Sequence, residues 1–502
     1  MIRMLLSSTS RRCRLPRYNY KQGWADPFNR LISTNVKSAS TSWDFDVLVV
    51  GGGVVGSTLA LNLARQSEQT LKIGLIENRV PTPLEKVKAA ALPDLRVYSL
   101  SPRSMALLEA VGAWGRLGDR HQPFASMQVW DEGSSGHLRF SAADAGQPVL
   151  GSIAENSALQ AALYELLVES DSAVTTFCPS KVSNISISAS GGPAKVDLEN
   201  GKGEAVNLTS RLVVGADGGE SYVRRRLGVA TVGWGYGQRA VVATVRLAGG
   251  PGAHKATAWQ RYLRTGPLAL LPLWDDLASI VWSTTPEHAE HLCGLEEDSF
   301  VKELNDALCQ GPAFPPVPEC PLPGPLGTAI TGLGRAAAGL GGALTSLGDA
   351  AAPFQMPPEA AGSPGRRFGL DLRLQQARRF AGRRLALVGD AAHTVHPMAG
   401  QGLNLGLGDV EKLTEIIIEG VKTGQDIGSP TLLATYDSDR RPRNWAAALG
   451  LDALHHVFGS AAGVAAAAGG GVGGPPALLR GLLPLAEGGL ALARGAGLGA
   501  LN

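Results

Sequence analysis

Two patterns of apolar and polar positions divide the chain. The runs Phe45–Val50, Leu71–Ile76, Leu212–Ala216 and Leu385–Val388 are apolar with little alternation, as expected for strands buried on both faces of a parallel sheet. Apolar-faced helices are predicted over Ser57–Gln66 and Asn404–Gly420. Residues 119–150 and 233–310 instead alternate in short runs, as in Ala240–Leu247, which predicts an antiparallel sheet with one covered face. At 502 residues the chain exceeds one typical core. The two patterns also interleave. Residues 44–118, 151–232 and 384–450 are expected to form a Rossmann-like nucleotide-binding lobe, and residues 119–150 and 233–383 a β-sheet domain that walls a substrate pocket. The predicted fold class is therefore α/β plus antiparallel sheet, with a helical C-terminal region. Trp130, Trp259, Trp274 and Trp282 suit either the pocket wall or the core, since aromatic side chains serve in both.

The patterning breaks twice. Residues 311–366 are rich in Gly, Pro and Ala and read as a low-complexity insertion. Gly332-Leu-Gly334 inside it imitates a nucleotide-binding turn but lacks a preceding strand and a suitably spaced acid. Residues 451–502 form an Ala/Gly-rich tail, in which Gly and Pro interrupt every apolar stretch before it reaches membrane-spanning length. Within the tail, Ala477–Ala486 suits a peripheral membrane contact and equally a cover for the core.

The candidate chemistry lies where the buried strands end. Phe45–Val50 leads into Gly51-Gly-Gly53-Val54-Val55-Gly56. Gly51 permits a tight turn, Gly53 lets a pyrophosphate approach the backbone, and Gly56 allows close packing of helix on strand; with Val54 and Val55 these glycines make up the segment before the helix predicted from Ser57. Glu77, at the end of the second strand, is placed for the ribose hydroxyls of a dinucleotide. A third strand ends at Asp217-Gly218, with Ser221 and Arg224 following. The fourth leads into Gly389-Asp390-Ala-Ala-His393 and then His396–Leu403. Asp390 can accept hydrogen bonds from a ribityl chain. The glycines Gly400 and Gly402, with Leu403 and Asn404, place a helix start and its unpaired N–H groups against the anionic edge of a reduced flavin. Asp390 also suits a plain helix cap, and Asp217-Gly218 a plain turn.

Charge and cysteine content narrow the setting. Residues 1–42 carry eight basic side chains against Asp26 alone and are rich in Ser and Thr, as in a mitochondrial transit peptide, though a basic arm or plastid address shares that composition. Setting aside this +7 turns the formal +2 of the whole chain into −5, so the basic isoelectric point gives no reason to expect a nucleic-acid partner. Five cysteines without CxxC spacing fit a reduced compartment. The pairs His393/His396 and His455/His456 lack the further ligands of a metal site, and none is predicted.

Together the three glycine-centred segments resemble the fingerprints of the FAD-dependent aromatic-ring hydroxylases, over about Asp44 to Asn444. His396–Asp409 is similar to the signature of the ubiquinone-biosynthesis hydroxylases, and Asp94–Ser104, Met127–Asp131, Gly266–Pro272 and Val281–Thr284 resemble their mitochondrial branch. The resemblance implies one FAD, with Arg96 near its phosphates unless that arginine forms only a surface ion pair. It implies hydroxylation, at C5, of a polyprenylated 4-hydroxybenzoate-derived ring through a flavin C4a-hydroperoxide formed with O2. It also implies electrons from a ferredoxin and its reductase and a matrix-side ubiquinone-synthesis complex as partner; with a lipophilic substrate and no apolar stretch of spanning length, the chain is expected to sit peripherally on the inner membrane. No catalytic side chain is demanded, and none is assigned. The family has ordered sheet within part of 311–366, where this chain departs from it. Two other functions use the same lobe: an FAD-dependent reductase or dehydrogenase of a lipophilic substrate, and a non-catalytic flavin-binding subunit. Consumption of O2 separates the first from a monooxygenase, and flavin turnover separates the second.

Overall fold

A computed structural model describes residues 43–132, 137–170, 173–188, 191–250, 256–309, 354–396 and 400–458. Five strands lie parallel in the order Val174–Phe177, Ile73–Ile76, Phe45–Val50, Ala205–Gly215 and Leu385–Leu387. The next strand in sequence lies on one side of Phe45–Val50 and a much later one on the other. The strand order therefore reverses there, and in open parallel sheets ligands bind in the crevice beyond the strand C-termini at such a reversal. The antiparallel strands Ser180–Ile187 and Ala194–Asn200 extend the sheet from Ala205–Gly215. The helices Val54–Gln66, Asn156–Glu169 and Gln401–Lys422 pack on it, and Leu48, Leu59, Leu75, Leu163, Val213 and Ile417 share one fully buried core.

A second sheet runs His393–Thr394, Phe368–Ala377, Thr231–Leu247, Leu277–Thr284, Gly266–Pro272, Thr257–Leu263, Ser126–Asp131 and His137–Ser141. Every pairing is antiparallel except Thr257–Leu263 with Ser126–Asp131. A third, small sheet joins Val97–Leu100, Gly151–Glu155 and His121–Phe124.

Several boundaries differ from the sequence-based expectations. Residues 286–309 form two helices, Pro286–Gly294 and Glu297–Cys309, rather than more sheet. Phe300, Leu304 and Leu308 are spaced by four, which fits a strand's period of two as well as a helix, and they pack with Trp130, Trp259 and Trp282 in a core of their own. The deciding signal was local: Thr285 caps the first of these helices by accepting from His288 N, with Pro286 in its first turn. His121–Phe124 joins the small sheet instead of the substrate sheet.

The compositional break predicted over 311–366 also ends early. Ala360–Gly362 pairs with Thr231–Leu247. Gln128 accepts from Gln355 N at 3.0 Å and donates to Gln355 O at 2.7 Å, and Asn305 holds Ala360 N and O in the same way at 2.8 and 2.9 Å. Two distant amide side chains thus satisfy a backbone whose own composition carries no strand signal.

The Val54 and Gln401 helices each start three residues before their predicted positions, Ser57 and Asn404. The last helix, Pro430–Phe458, crosses the boundary expected between 450 and 451. Residues 1–42, the Gly332 segment and Ala477–Ala486 lie outside the described residues. Among the described residues no helix is long and apolar enough to cross a membrane.

Candidate active site

A cleft of about 1650 Å³ opens beyond the C-terminal end of Phe45–Val50, lined by residues of both large sheets. Ordinary small-molecule sites occupy ~300–1,000 Å³, so this one has room for a dinucleotide and a second molecule. Every residue nominated from the sequence lines it except Gly56. A Cβ on Gly56 would lie 2.0 Å from Gly51 O, so this glycine serves the contact between helix and turn.

The other glycines fall into two groups. Gly51 (φ +110°) and Gly400 (φ +60°) adopt left-handed conformations, and a Cβ on Gly51 would also strike Ala216 O at 2.4 Å. Gly53 and Gly402 have no such constraint. A Cβ on Gly53 would meet only Gln160 Nε2, at 4.0 Å, and one on Gly402 only Val395 Cγ2, at 3.9 Å. Packing within the protein does not explain these two, whereas a ligand lying against bare backbone does. Gly53 immediately precedes the Val54 helix, and Gly402 lies in the first turn of the Gln401 helix, where N–H groups have no intrahelical partner. This cradle fits an anionic dinucleotide.

The polar residues divide differently from expectation. Glu77 lines the cleft, but Oε2 accepts from Gly52 N at 2.6 Å and Oε1 from Arg79 N at 2.9 Å. It holds the glycine turn while keeping lone pairs for a hydroxyl. Asp217 accepts from Ser221 Oγ at 2.5 Å and Val223 N at 3.0 Å, so both of its oxygens shape their own loop. Asn404 acts as an internal staple. Its Oδ1 accepts from Ser101 N and Ser104 Oγ, and its Nδ2 donates to Ser99 O at 2.8 Å. Asp390 opens onto the cleft with protein on its other sides. Burial pushes its carboxyl above the usual aspartate range against the opposing charges of His393, Arg96 and Arg373. Arg96 is exposed within the cleft beside Tyr98, whose phenol burial pushes up to about 12.

Sequence reasoning missed the support beneath this site. Asp409, fully buried on the Gln401 helix, accepts on Oδ2 from Gly389 N at 3.1 Å and pairs there with His393 Nε2 at 2.6 Å. Its Oδ1 accepts from Arg440 Nε at 2.8 Å and Asn444 Nδ2 at 3.0 Å. The available signal was a carboxylate at helical spacing from apolar positions, three residues after Gly406 and four before Leu413. Of the four tryptophans considered, Trp259 lines the cleft, Trp130 and Trp282 are core, and Trp274 donates to Glu155 at 2.8 Å.

The FAD binding domain family model matches residues 44–312 and 357–449. The chain is 35% identical to the mitochondrial ubiquinone biosynthesis monooxygenase COQ6 of Danio rerio, over 85% of this chain and 86% of that protein. It is 34% identical to the Homo sapiens protein of the same name, over 84% and 87%. Among solved structures it is similar to PqsL, a probable FAD-dependent monooxygenase from Pseudomonas aeruginosa, with TM-score 0.59 and 22% identity over 82% of this chain and 96% of that one. It is also similar to aklavinone-11 hydroxylase in complex with FAD and aklavinone, with TM-score 0.53 and 18% identity over 83% and 69%. Both structural likenesses concern the fold.

Proposed function

The chain belongs to the family of FAD-binding ubiquinone-biosynthesis monooxygenases, and from that premise we propose that it hydroxylates the ring of a polyprenylated 4-hydroxybenzoate-derived precursor, at C5. The observation that carries this reading is the continuity of one cleft, glycine-lined and polar on one side and walled by an apolar sheet on the other. Bound in the polar half, FAD supplies the activation of O2 and the transfer of one oxygen atom to an electron-rich ring.

The chain's own residues bind, orient and exclude water. Gly51, Gly53, Val54 and Val55 line the place for the pyrophosphate, with Glu77 toward the ribose and Arg96 toward the phosphates. Asp390 would accept from the ribityl hydroxyls, and the N–H groups at Gly402 and Leu403 would stabilise the anionic edge of the reduced ring. Val242, Leu271 and Val281 keep the substrate side dry. No side chain is assigned a proton transfer. The reductant we propose is a ferredoxin with its reductase. The partner is a ubiquinone-synthesis assembly on the matrix side of the inner mitochondrial membrane, where the chain is held peripherally.

Under 18O2, the FAD-loaded protein with a chemical reductant and a prenylated 4-hydroxybenzoate should place one 18O atom on the ring, read by mass spectrometry. Substrate-dependent flavin turnover without label in the product would instead favour a reductase, and a flavin that does not turn over a non-catalytic subunit. Carbonate extraction of mitochondria should release the protein, and retention in the pellet would overturn the peripheral placement.

A further inference from the structure

The cleft face of the second sheet is apolar almost throughout, which makes its polar members conspicuous. Strand register sets Gln260 opposite Ala269, Ala269 opposite Val281, and Ala240 opposite Ser283. All five line the cleft. Ala240, Ala269 and Val281 form a low floor on which a flat ring can lie; Gln260 flanks it beyond Ala269, and Ser283 stands within it, opposite Ala240 and two residues along the strand from Val281. Both polar residues are enclosed by protein, 4% and 1% exposed. The Ser283 hydroxyl has no hydrogen-bond partner among the described residues. Gln260 is hydrogen-bonded to the hydroxyl of Tyr262, the next residue on the same face of its strand. An amide N–H that donates to this hydroxyl would leave the carbonyl as an acceptor on the cleft side. Both residues line the cleft, where a ligand that displaces water has to replace the hydrogen bonds that water made.

We propose that Gln260 accepts a hydrogen bond from the ring hydroxyl of the substrate, with Tyr262 fixing the amide orientation, while Ser283 meets a second polar substituent of the ring. The proposal rests on the ring-hydroxylase reading above and adds the groups that decide which ring carbon faces the flavin. An acceptor on the phenol O–H also favours electron release into the ring, which suits attack on an electrophilic oxygen. Gln260 acts on the substrate directly, and Tyr262 is a positioning residue.

Binding of 4-hydroxy-3-prenylbenzoate and of 3-prenylbenzoate, its deoxy counterpart, to the FAD-loaded full chain can be followed without turnover by the change in flavin absorbance. The wild-type protein should prefer the hydroxylated ligand by about tenfold, because the deoxy ligand leaves the carbonyl unpaired. Gln260→Leu should reduce that preference to about twofold or less while holding the deoxy ligand at least as well. A merely structural role would weaken both ligands alike. Tyr262→Phe should give an intermediate preference, and it decides the matter if the leucine variant fails to retain FAD. Ser283→Ala should weaken both ligands and leave the preference unchanged. A tenfold preference that survives in Gln260→Leu, or in Tyr262→Phe where that variant decides, overturns the proposal. Wild-type binding of both ligands without preference overturns it while leaving the ring-hydroxylase reading standing, whereas wild-type binding of neither removes both.

Discussion

Replacing Gly53 with valine is expected to give a folded protein that no longer retains FAD. Gly53 has φ −65° and ψ 179°, a conformation that valine adopts without strain. A Cβ there has no protein atom closer than Gln160 Nε2 at 4.0 Å. The added side chain therefore projects into the cleft, where a bound pyrophosphate would approach the backbone. Affinity for FAD should fall by about a hundredfold or more, ~3 kcal/mol. Unfolding of the FAD-free variant should stay within about 1 kcal/mol of FAD-free wild type, since the change touches no buried contact. Gly56→Val is the control with the opposite signature. Its Cβ would stand 2.0 Å from Gly51 O, so the helix must move off its strand and the fold itself should fail. Fluorescence titration with FAD and thermal melts of both variants separate the two outcomes. A Gly53→Val protein that binds FAD within a few-fold of wild type would sink the assignment of this turn.

The glycine turn was legible because each of its features leaves a short-range trace: a buried strand, a left-handed glycine, a bare glycine at the cleft, and an acid at the end of the next strand. The jobs of the polar residues were less legible. Glu77, Asp217 and Asn404, nominated as cofactor-binding, line the cleft, yet each spends its side chain wholly or partly on the protein. A carboxylate or amide near a ligand and one that builds the ligand's loop look alike in sequence, because both sit at strand ends and helix starts.

The helices at 286–309 were hidden by a spacing of four that serves two periods. The return of residues 354–366 to the sheet was hidden more deeply, because its partners Gln128 and Asn305 lie 227 and 55 residues away. Gln260 and Ser283 belong to the same class, since only the register shows that they face one floor. Short-range chemistry is written in neighbouring residues, and pairing across a sheet is not.

Asp409→Ala should destabilise the fold by about 3–5 kcal/mol, the range for removing one partner of a buried ion pair. It strands the buried His393, leaves Arg440 without its carboxylate, and frees Gly389 N, which directly precedes Asp390. Asp390→Ala should behave in the opposite way. It should weaken FAD by about 1 kcal/mol or more through the lost hydrogen bond, with little effect on unfolding of the FAD-free protein.

The two aspartates also differ in titration. Burial alone would raise the Asp409 carboxyl, but His393 and Arg440 together hold it below the usual aspartate range. Because its folded value is depressed, the stability it contributes is fully present above the unfolded aspartate value, about 3.9, and is lost as the pH falls through the folded value. The gap in unfolding free energy between wild type and Asp409→Ala should therefore be level from neutral pH down to about 4 and narrow below it. Urea unfolding across that range reads the gap directly. A difference of under about 1 kcal/mol at neutral pH would mean that His393 and Arg440 find other partners at little cost, and that the loop carrying Asp390 does not depend on this carboxylate.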